Sequence, residues 1–468
     1  MPHEPFQDRV RRRNDARIQK GEDVLYWMQQ SQRAEDNHAL EYAVALANEH
    51  KKPVRVVFGL TADYPEANLR HYRFMLEGLA DARAALEKRG IPMSIHLGHP
   101  PEVALKAAQK ALALVCDRGY LRHQREWRRQ AAEHSPCPVF EVESDVVVPV
   151  QTVSDKAEYA ARTIRPKIHR HLERYLKPAP VQKLGTDSSG RAAGGIDLSD
   201  IDRVLSKLKL DRSVAPVSGF FKGGGSQAKR RFSGFVKNRL DRYAKNSNQP
   251  QTDDISAMSP YLHFGQISPL FLALEAKRRK GADREALESF LEELIVRREL
   301  AVNFAFFNDR YDRYDGLPTW AKKTLAEHRG DKRKHRYDRK TLEAAKTHDP
   351  YWNAAMNEMK ATGFMHNYMR MYWGKKILQW SPSPEQGFET TLAINNRFFL
   401  DGRDPNSYTG VAWIYGLHDR AWAEREIFGK VRYMAASGLE RKCDIQAYVE
   451  KVEDRLREAE KAAERSPQ

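Results

Sequence analysis

The chain reads as an α/β domain built on a doubly wound parallel sheet, followed by an all-helical domain. Three observations predict this. Over residues 22–150, short apolar runs alternate with amphipathic stretches. Residues 177–228 then turn rich in Gly, Ser, Ala and Pro, and from Lys229 to Val452 strand-like runs vanish while aromatics become dense. Strands alternating with helices favour a parallel sheet covered on both faces.

Strands are expected over Val24–Met28, Val54–Leu60, Met93–Gly98, Ala113–Asp117 and Val139–Glu143, each a buried apolar run. Between them Asp36–His50, Ala67–Gly90, Glu102–Ala111 and Leu121–His134 carry helical periodicity. Such sheets bind ligands at the carboxyl ends of their strands, yet no G-x-G-x-x-G follows the first strand. The α/β domain is set at residues 20–176 and a linker at 177–228, with one short helix over Ser199–Leu208. Gly223-Gly224-Gly225-Ser226 lacks the Lys of a phosphate loop and reads as linker. The helical domain spans residues 229–452, with a charged tail over 453–468. Its helices are expected over Arg230–Ala244, Pro269–Lys280, Arg284–Phe307, Trp320–His328, Arg339–Thr347, Pro350–Thr362, His366–Trp380, Pro384–Phe398, Trp422–Ala436 and Ile445–Ala463.

Composition narrows the partners. Of 468 residues, 79 are Lys or Arg and 63 Asp or Glu, a formal charge of +16 that favours nucleic acid or an anionic membrane surface. The three cysteines form no close pair, which argues against a disulfide framework or a zinc site. The N-terminal stretch has no apolar h-region and no window holds ~18 consecutive apolar residues, so a soluble, intracellular protein with no membrane partner is expected. No metal ligand set, nucleophilic triad or Walker pattern is present.

Trp373 and Trp380 lie seven apart on one expected helix, about two turns and roughly 10 Å along the axis. Trp352 sits on the preceding helix. Indoles so spaced can pass single electrons, although an aromatic core is the simpler reading. Arg370 precedes Trp373 by three, and an Arg buried beside aromatics needs a carboxylate or an anionic ligand. Asp401 is the candidate, with an ordinary structural bridge as the alternative. Glu293, four before Arg297, reads alone as a surface ion-pair partner. Ser256 and Ser259 read as helix caps, and Trp413 as core. Arg329–Lys340 holds seven Lys or Arg against two Asp, a solvated loop or a phosphate contact.

Several blocks in order carry a resemblance. They are YWMQQSQRAEDN from Tyr26, EELIVRREL from Glu292, KTHDPYWN from Lys346, MRMYWGKKIL from Met369, LDGRDPN from Leu400, His418-Asp419-Arg420, and FGKVR from Phe428. Through them most of the chain resembles the class II cyclobutane pyrimidine dimer photolyases of the photolyase/cryptochrome family. The resemblance implies reduced FAD, folded into a U in the helical domain, that passes an electron to a pyrimidine dimer in DNA under near-UV or blue light. It implies a monomer, and it allows a second antenna chromophore, a deazaflavin or a folate, whose residues are not legible.

Residue by residue, Tyr243 and the turn Ile255, Ser256, Ala257, Met258 and Ser259 resemble the grip on the FAD phosphates. Arg297 and Asn406 resemble further FAD contacts. Arg370 and Asp401 resemble the ion pair beside the isoalloxazine, and Asn395, or its neighbour Asn396, resembles the amide facing flavin N5. A carboxamide there can turn to accept from N5–H or donate to bare N5. Trp373, Trp352 and Trp380 resemble the proximal, middle and distal members of the electron chain. Glu293 resembles the carboxyl on the carbonyl edge of the dimer. Asn367 and Met371 resemble its pocket lining, and Trp413 the indole it stacks on. Arg420, with Lys430 and Arg432, is set on the DNA face. Phe364 departs from other classes, which often carry Trp there. A cryptochrome-like receptor is disfavoured by the dimer-pocket residues and by the lack of a long extension after Val452. A (6-4) lesion enzyme would call for His residues above the dimer. A basic nucleic-acid-binding protein without catalysis would be colourless.

Overall fold

The computed structural model describes residue 6 and residues 8–18, 20–189 and 194–464. Part of the GTDSSGRAAGGID stretch of the linker, residues 190–193, and the tail residues 465–468 lie outside the described residues. A six-stranded sheet organises the first domain. Its strands are β1 (Val10–Arg12), β2 (Asp23–Trp27), β3 (Val54–Leu60), β4 (Met93–Leu97), β5 (Ala111–Asp117) and β6 (Val139–Val142), in the order β1-β6-β5-β2-β3-β4. All neighbours pair parallel except β1, which runs antiparallel along β6. Side chains of β2 divide by the period of two. Val24 and Tyr26 enter one core with the helices His38–Glu49 and Leu69–Glu87. Leu25 and Trp27 enter another with Pro100–Ala107 and Arg122–His134.

The strand order reverses between β2 and β5, the position where such folds bind ligands. There the Asp117 carboxylate accepts the backbone N–H groups of Gln29, Gln30 and Ser31 at 2.9, 2.9 and 3.0 Å. A carboxylate thus fills the nest of amides in which dinucleotide folds hold phosphate, which explains the missing glycine fingerprint.

The linker is more ordered than its composition suggests. It carries the short helix Ile201–Ser206, and a long helix, Gly225–Asn238, begins inside its expected range. The N–H of Gly223 donates to Glu77 of the first domain and that of Gly224 to Gln266 of the second, both at 2.7 Å, so the glycines sit where the two domains meet. A Cβ at Gly223 would lie 2.0 Å from the Phe74 carbonyl oxygen, an approach only glycine allows.

Two buried side chains join the domains. Arg70 donates to the carbonyls of Met359 and Phe398, at 3.1 and 2.6 Å, in the last turns of the helices Pro350–Thr362 and Pro384–Phe398. A cation there satisfies carbonyls that the helices leave open. Glu299 accepts the N–H groups of Val147 and Val148 at 2.6 and 3.1 Å, and burial pushes its carboxyl up to about 8.

The helical domain corrects two expectations and adds a helix. The run Arg284–Phe307 is not one α-helix: Arg284–Leu291 and Arg298–Phe307 flank a π-helical turn over Glu292–Arg297. Trp422–Ala436 is not helical. Arg425 and Gly429 exchange backbone hydrogen bonds, with Ile427 and Gly429 at φ 70 and 52, and a tight turn replaces the helix. A helix does form over Pro405–Ile414, capped by the Asp404 carboxylate with Pro at N1. The final helix, Ile445–Glu464, runs through most of the expected charged tail, burying Tyr448 and Val452 against Pro350–Thr362. Among the described residues no helix is long and apolar enough to cross a membrane.

Candidate active site

Three helical segments carry the candidate residues, each on its least buried stripe. On Asn367–Trp380 the stripe is Asn367, Arg370 and Met371, three and four residues apart. On Pro405–Ile414 it is Asn406, Thr409, Gly410 and Trp413, while Ser407, Tyr408, Val411, Ala412 and Ile414 are buried. On the π-helical turn it is Glu293 and Arg297, between buried Leu294, Ile295 and Val296. A π-turn widens the helix locally and often marks a functional site. The Pro405–Ile414 helix packs against both of the others' extensions.

Gly410 leaves its side of the Pro405–Ile414 helix open. A Cβ at Gly410 would meet nothing within 4 Å. Trp373 Nε1 and Thr409 Oγ1 are buried without a hydrogen-bond partner. Buried donors are otherwise satisfied as a rule, so these atoms fit a bound organic group with polar edges. At one end lie Tyr243 and the turn Ile255–Ser259, where Ala257 holds φ 53 and Ser256 and Ser259 are only partly buried. Tyr243 packs edge-on to Phe290 and lies close enough to Glu293 to feel its charge.

Arg370 and Asp401 meet at 3.0 Å, with side chains 20% and 7% exposed. The guanidinium also lies 3.9 Å from the centroid of Phe399, and its Nε donates to the Met365 carbonyl at 3.0 Å. Asn395 and Asn396 are both buried but do different things. Asn396 reaches Glu66 and the Arg403 backbone, whereas Asn395 donates to Asn396 and Ser407 and keeps its oxygen free of protein donors.

The tryptophans are joined. The Trp352 indole N–H donates to the Trp373 carbonyl at 2.9 Å, and the Trp352 and Trp380 rings lie 5.6 Å apart at 66°. All three are at most 2% exposed. Tyr337 and His348 continue the path, with ring centroids 5.3 and 5.4 Å from Trp380.

Burial pushes the Glu293 carboxyl above its usual range, against the pull of Arg297 at 4.0 Å. Arg297 itself pairs with Glu292 at 3.4 Å, and Glu292 is held bidentately by Arg165. The arrangement separates the two neighbours: Glu292 is held by Arg165 and Arg297, and Glu293 stays half-exposed.

Cations and indoles alternate at the rim. Arg432 lies 5.6 Å from the Trp413 ring and 5.0 Å from Trp422, and Arg420 lies 5.8 Å from Trp422. Trp422 is 39% exposed, an unusual position for an indole. Beneath Trp413 the fully buried Lys375 sits 5.1 Å from the ring and donates to the Ile414 carbonyl; burial lowers its pKa to about 7. Neither Trp422 nor Lys375 was reached from the sequence, although Arg-x-Trp beside His418-Asp419 offered a signal for the first. The basic loop Arg329–Lys340 contributes less than its composition suggests. Arg329 pairs with Glu385, Arg339 with Glu343, and Arg333 is buried, which leaves Lys332, Lys334, Arg336 and Lys340 exposed.

A second pocket lies at the sheet's switch point, lined by Tyr64, His71, Gln124, Trp127, Arg128 and Arg403 among others. Among the described residues no group of three metal-ligating side chains forms.

Comparison with known proteins places this geometry. Residues 24–183 match the DNA photolyase family profile. The chain is 50% identical over 433 residues to the deoxyribodipyrimidine photo-lyase of Methanothermobacter thermautotrophicus, covering 92% of this chain and 95% of that one. The chain belongs to the DNA photolyase family. The deoxyribodipyrimidine photo-lyase of Potorous tridactylus is 40% identical, covering 92% of this chain and 81% of its own. The photolyase fold extends to a class III photolyase from Agrobacterium tumefaciens, at TM-score 0.72 and 18% identity, covering 94% of this chain and 88% of that one.

Proposed function

We infer that this photolyase is a class II deoxyribodipyrimidine photolyase, which splits cyclobutane pyrimidine dimers in DNA under near-UV or blue light. The observation that carries the reading is 50% identity to a deoxyribodipyrimidine photo-lyase over 92% of the chain; Glu293, Asn367, Met371 and Trp413 are proposed to line the lesion pocket beside the Arg370–Asp401 pair. FAD, bound there in its reduced form, supplies the electron that light drives onto the dimer.

The chain's own residues do the rest. Tyr243 and Ile255, Ser256, Ala257, Met258 and Ser259 offer a hydroxyl-bearing turn for the phosphates, and Asn406 adds an amide on the opposite helix. Arg297 supplies a positive charge near the same end. Arg370 places a fixed positive charge near the flavin ring, and Asp401 keeps that charge in position. Trp373, Trp352 and Trp380 restore the reduced flavin one electron at a time. Glu293, whose carboxyl desolvation shifts upward, is placed to donate, when protonated, to a dimer carbonyl and stabilise charge that develops there. Trp413 gives the dimer a face to stack on, and Asn367 and Met371 close its pocket. Arg420, Lys430 and Arg432 hold the backbone, and flipping an already distorted lesion is cheap. The protein is proposed to act as a monomer inside the cell. An antenna chromophore of deazaflavin or folate type is proposed for the switch-point pocket, whose wall includes the edge-to-face pair Tyr64 and Trp127.

Purified protein should be coloured by flavin and should reverse thymine dimers in light and not in darkness; colourless protein, or repair that ignores light, rejects the reading. Glu293→Ala should lower the repair yield several-fold with flavin content unchanged, while Glu293→Gln, which still donates, keeps most of it. Equal losses in both would remove hydrogen-bond donation from the role. Trp422→Ala should weaken binding to dimer-containing duplex about tenfold, the loss expected for one stacked base. Titration in fluorescence anisotropy checks this, with an unchanged affinity placing Trp422 off the DNA face.

A further inference from the structure

We propose that Glu66, acting through Asn396, fixes the Asn395 carboxamide so that its oxygen, and not its amide nitrogen, faces flavin N5. The proposal rests on Asn395 being the N5 neighbour, and it makes Glu66 and Asn396 positioning residues.

The orientation of an Asn amide is set by its partners. Here the two outer partners are unambiguous. The Glu66 carboxylate can only accept, and it lies 2.7 Å from one end of the Asn396 amide, so that end is Nδ2. The Arg403 backbone N–H can only donate, and it lies 3.2 Å from the other end, which is therefore Oδ1. The same Oδ1 stands 2.9 Å from Asn395, so the atom facing it is the Asn395 Nδ2. The second proton of that Nδ2 goes to Ser407 Oγ at 2.7 Å. Both Asn395 protons are used, and among the described residues its Oδ1 accepts from none. A serine hydroxyl accepts or donates with equal ease, so Ser407 would tolerate either orientation. Glu66 is the group that decides.

The placement is specific. Asn395 and Asn396 are 4% and 0% exposed, so neither has water to reorganise with. Glu66 comes from the other domain, on the loop that follows β3, and it sits at φ 56, a conformation non-glycine residues seldom adopt. The buried Arg403 guanidinium closes the arrangement by donating to the Asn396 carbonyl at 2.8 Å. The amide beside the flavin is thus oriented by a carboxylate 330 positions away. An acceptor fixed towards N5 favours N5 when it carries hydrogen, as in reduced FAD, and opposes the bare nitrogen of the oxidised form. The site is therefore biased towards the redox state that repair needs, and the carboxamide does not turn freely.

The test uses the flavin-loaded protein and two readouts besides repair: the two-electron midpoint potential, and the N5 resonance of bound FAD labelled with nitrogen-15. Glu66→Met removes the acceptor from an exposed loop. It should shift the reduced-to-oxidised ratio about tenfold towards oxidised FAD, a fall of about 30 mV, and move the N5 resonance. Glu66→Gln keeps an acceptor and should stay near the parent in both. In Asn396→Asp both side-chain oxygens accept, so the Glu66→Met/Asn396→Asp double variant should regain the parent N5 resonance. No change in Glu66→Met, an equal change in Glu66→Gln, or no recovery in the double variant overturns the clamp. Asn395→Ala separates the two readings: if it leaves the N5 resonance unmoved, Asn395 is not the flavin's neighbour; if it moves the resonance while Glu66→Met does not, only the clamp fails.

Discussion

Trp373→Phe should abolish photoreduction of oxidised FAD while leaving repair intact in enzyme reduced chemically beforehand. The expected loss is the largest of any single substitution, because Trp373 is proposed as the member next to the flavin. Trp352 donates its indole N–H to the Trp373 carbonyl at 2.9 Å and reaches Trp380 at 5.6 Å, so the outer two rings remain coupled in the variant. What disappears is the ring proposed to stand between them and the flavin. Structure should survive, since Phe fills most of the Trp373 volume next to Phe399 at 6.2 Å, at a cost of about 1–3 kcal/mol. The Trp373 Nε1 has no protein partner, so no buried acceptor is orphaned either. Illumination without DNA, followed by absorbance of oxidised flavin, measures the first half. Dimer reversal after dithionite measures the second. Photoreduction at the parent rate would remove Trp373 from the chain, and loss of both activities would show a folding defect instead.

Trp380→Phe should give a milder version of the same result. Trp380 is the outer member, and an electron taken from Trp352 returns unless Trp380, or Tyr337 beyond it, refills the vacancy. Net photoreduction should then slow and regain speed with added reductant.

How much of this was legible in the sequence depended on distance along the chain. The parallel strands were readable because strands buried on both faces are apolar without interruption. β1 was not, because Val-Arg-Arg on an antiparallel edge has no apolar signature. The π-helical turn escaped because six residues are too few to distinguish its period from that of an α-helix. Trp422–Ala436 looked helical since its apolar residues recur at helical spacing, but Gly429 lets the chain turn back on Arg425. The helix over Pro405–Ile414 was signalled by Asp404-Pro405, a cap and an N1 proline, and was passed over. In the site, pairs within one helix were accessible to spacing arguments, as for Arg370 with Trp373. Pairs between domains were not: nothing local to Asn396 points to Glu66, and nothing local to Arg70 points to two helix ends. The basic loop misled in the opposite direction, because composition counts charges and ignores the partners that absorb them.

Asp401→Ala should both destabilise the helical domain and empty it of flavin, and separating these effects decides what the ion pair is for. The pair is mostly buried, and removing one partner leaves the Arg370 charge with a ring face and one carbonyl. Breaking such a pair costs about 3 kcal/mol, which for a domain of this size lowers Tm by roughly 6–12 °C. Replacing both partners by leucine removes the stranded charge and should recover most of that stability, since a buried pair is worth little against well-packed apolar residues. If the pair is only a structural bridge, the double-leucine variant should also regain its flavin. If Arg370 and Asp401 position and balance the flavin ring, the variant should be as stable as the parent and still bind FAD poorly. Thermal melts of apoprotein together with fluorescence titration of FAD distinguish the two. We expect the second outcome, because Arg370 lies on the open stripe with Asn367 and Met371, where a purely structural Arg would turn inward.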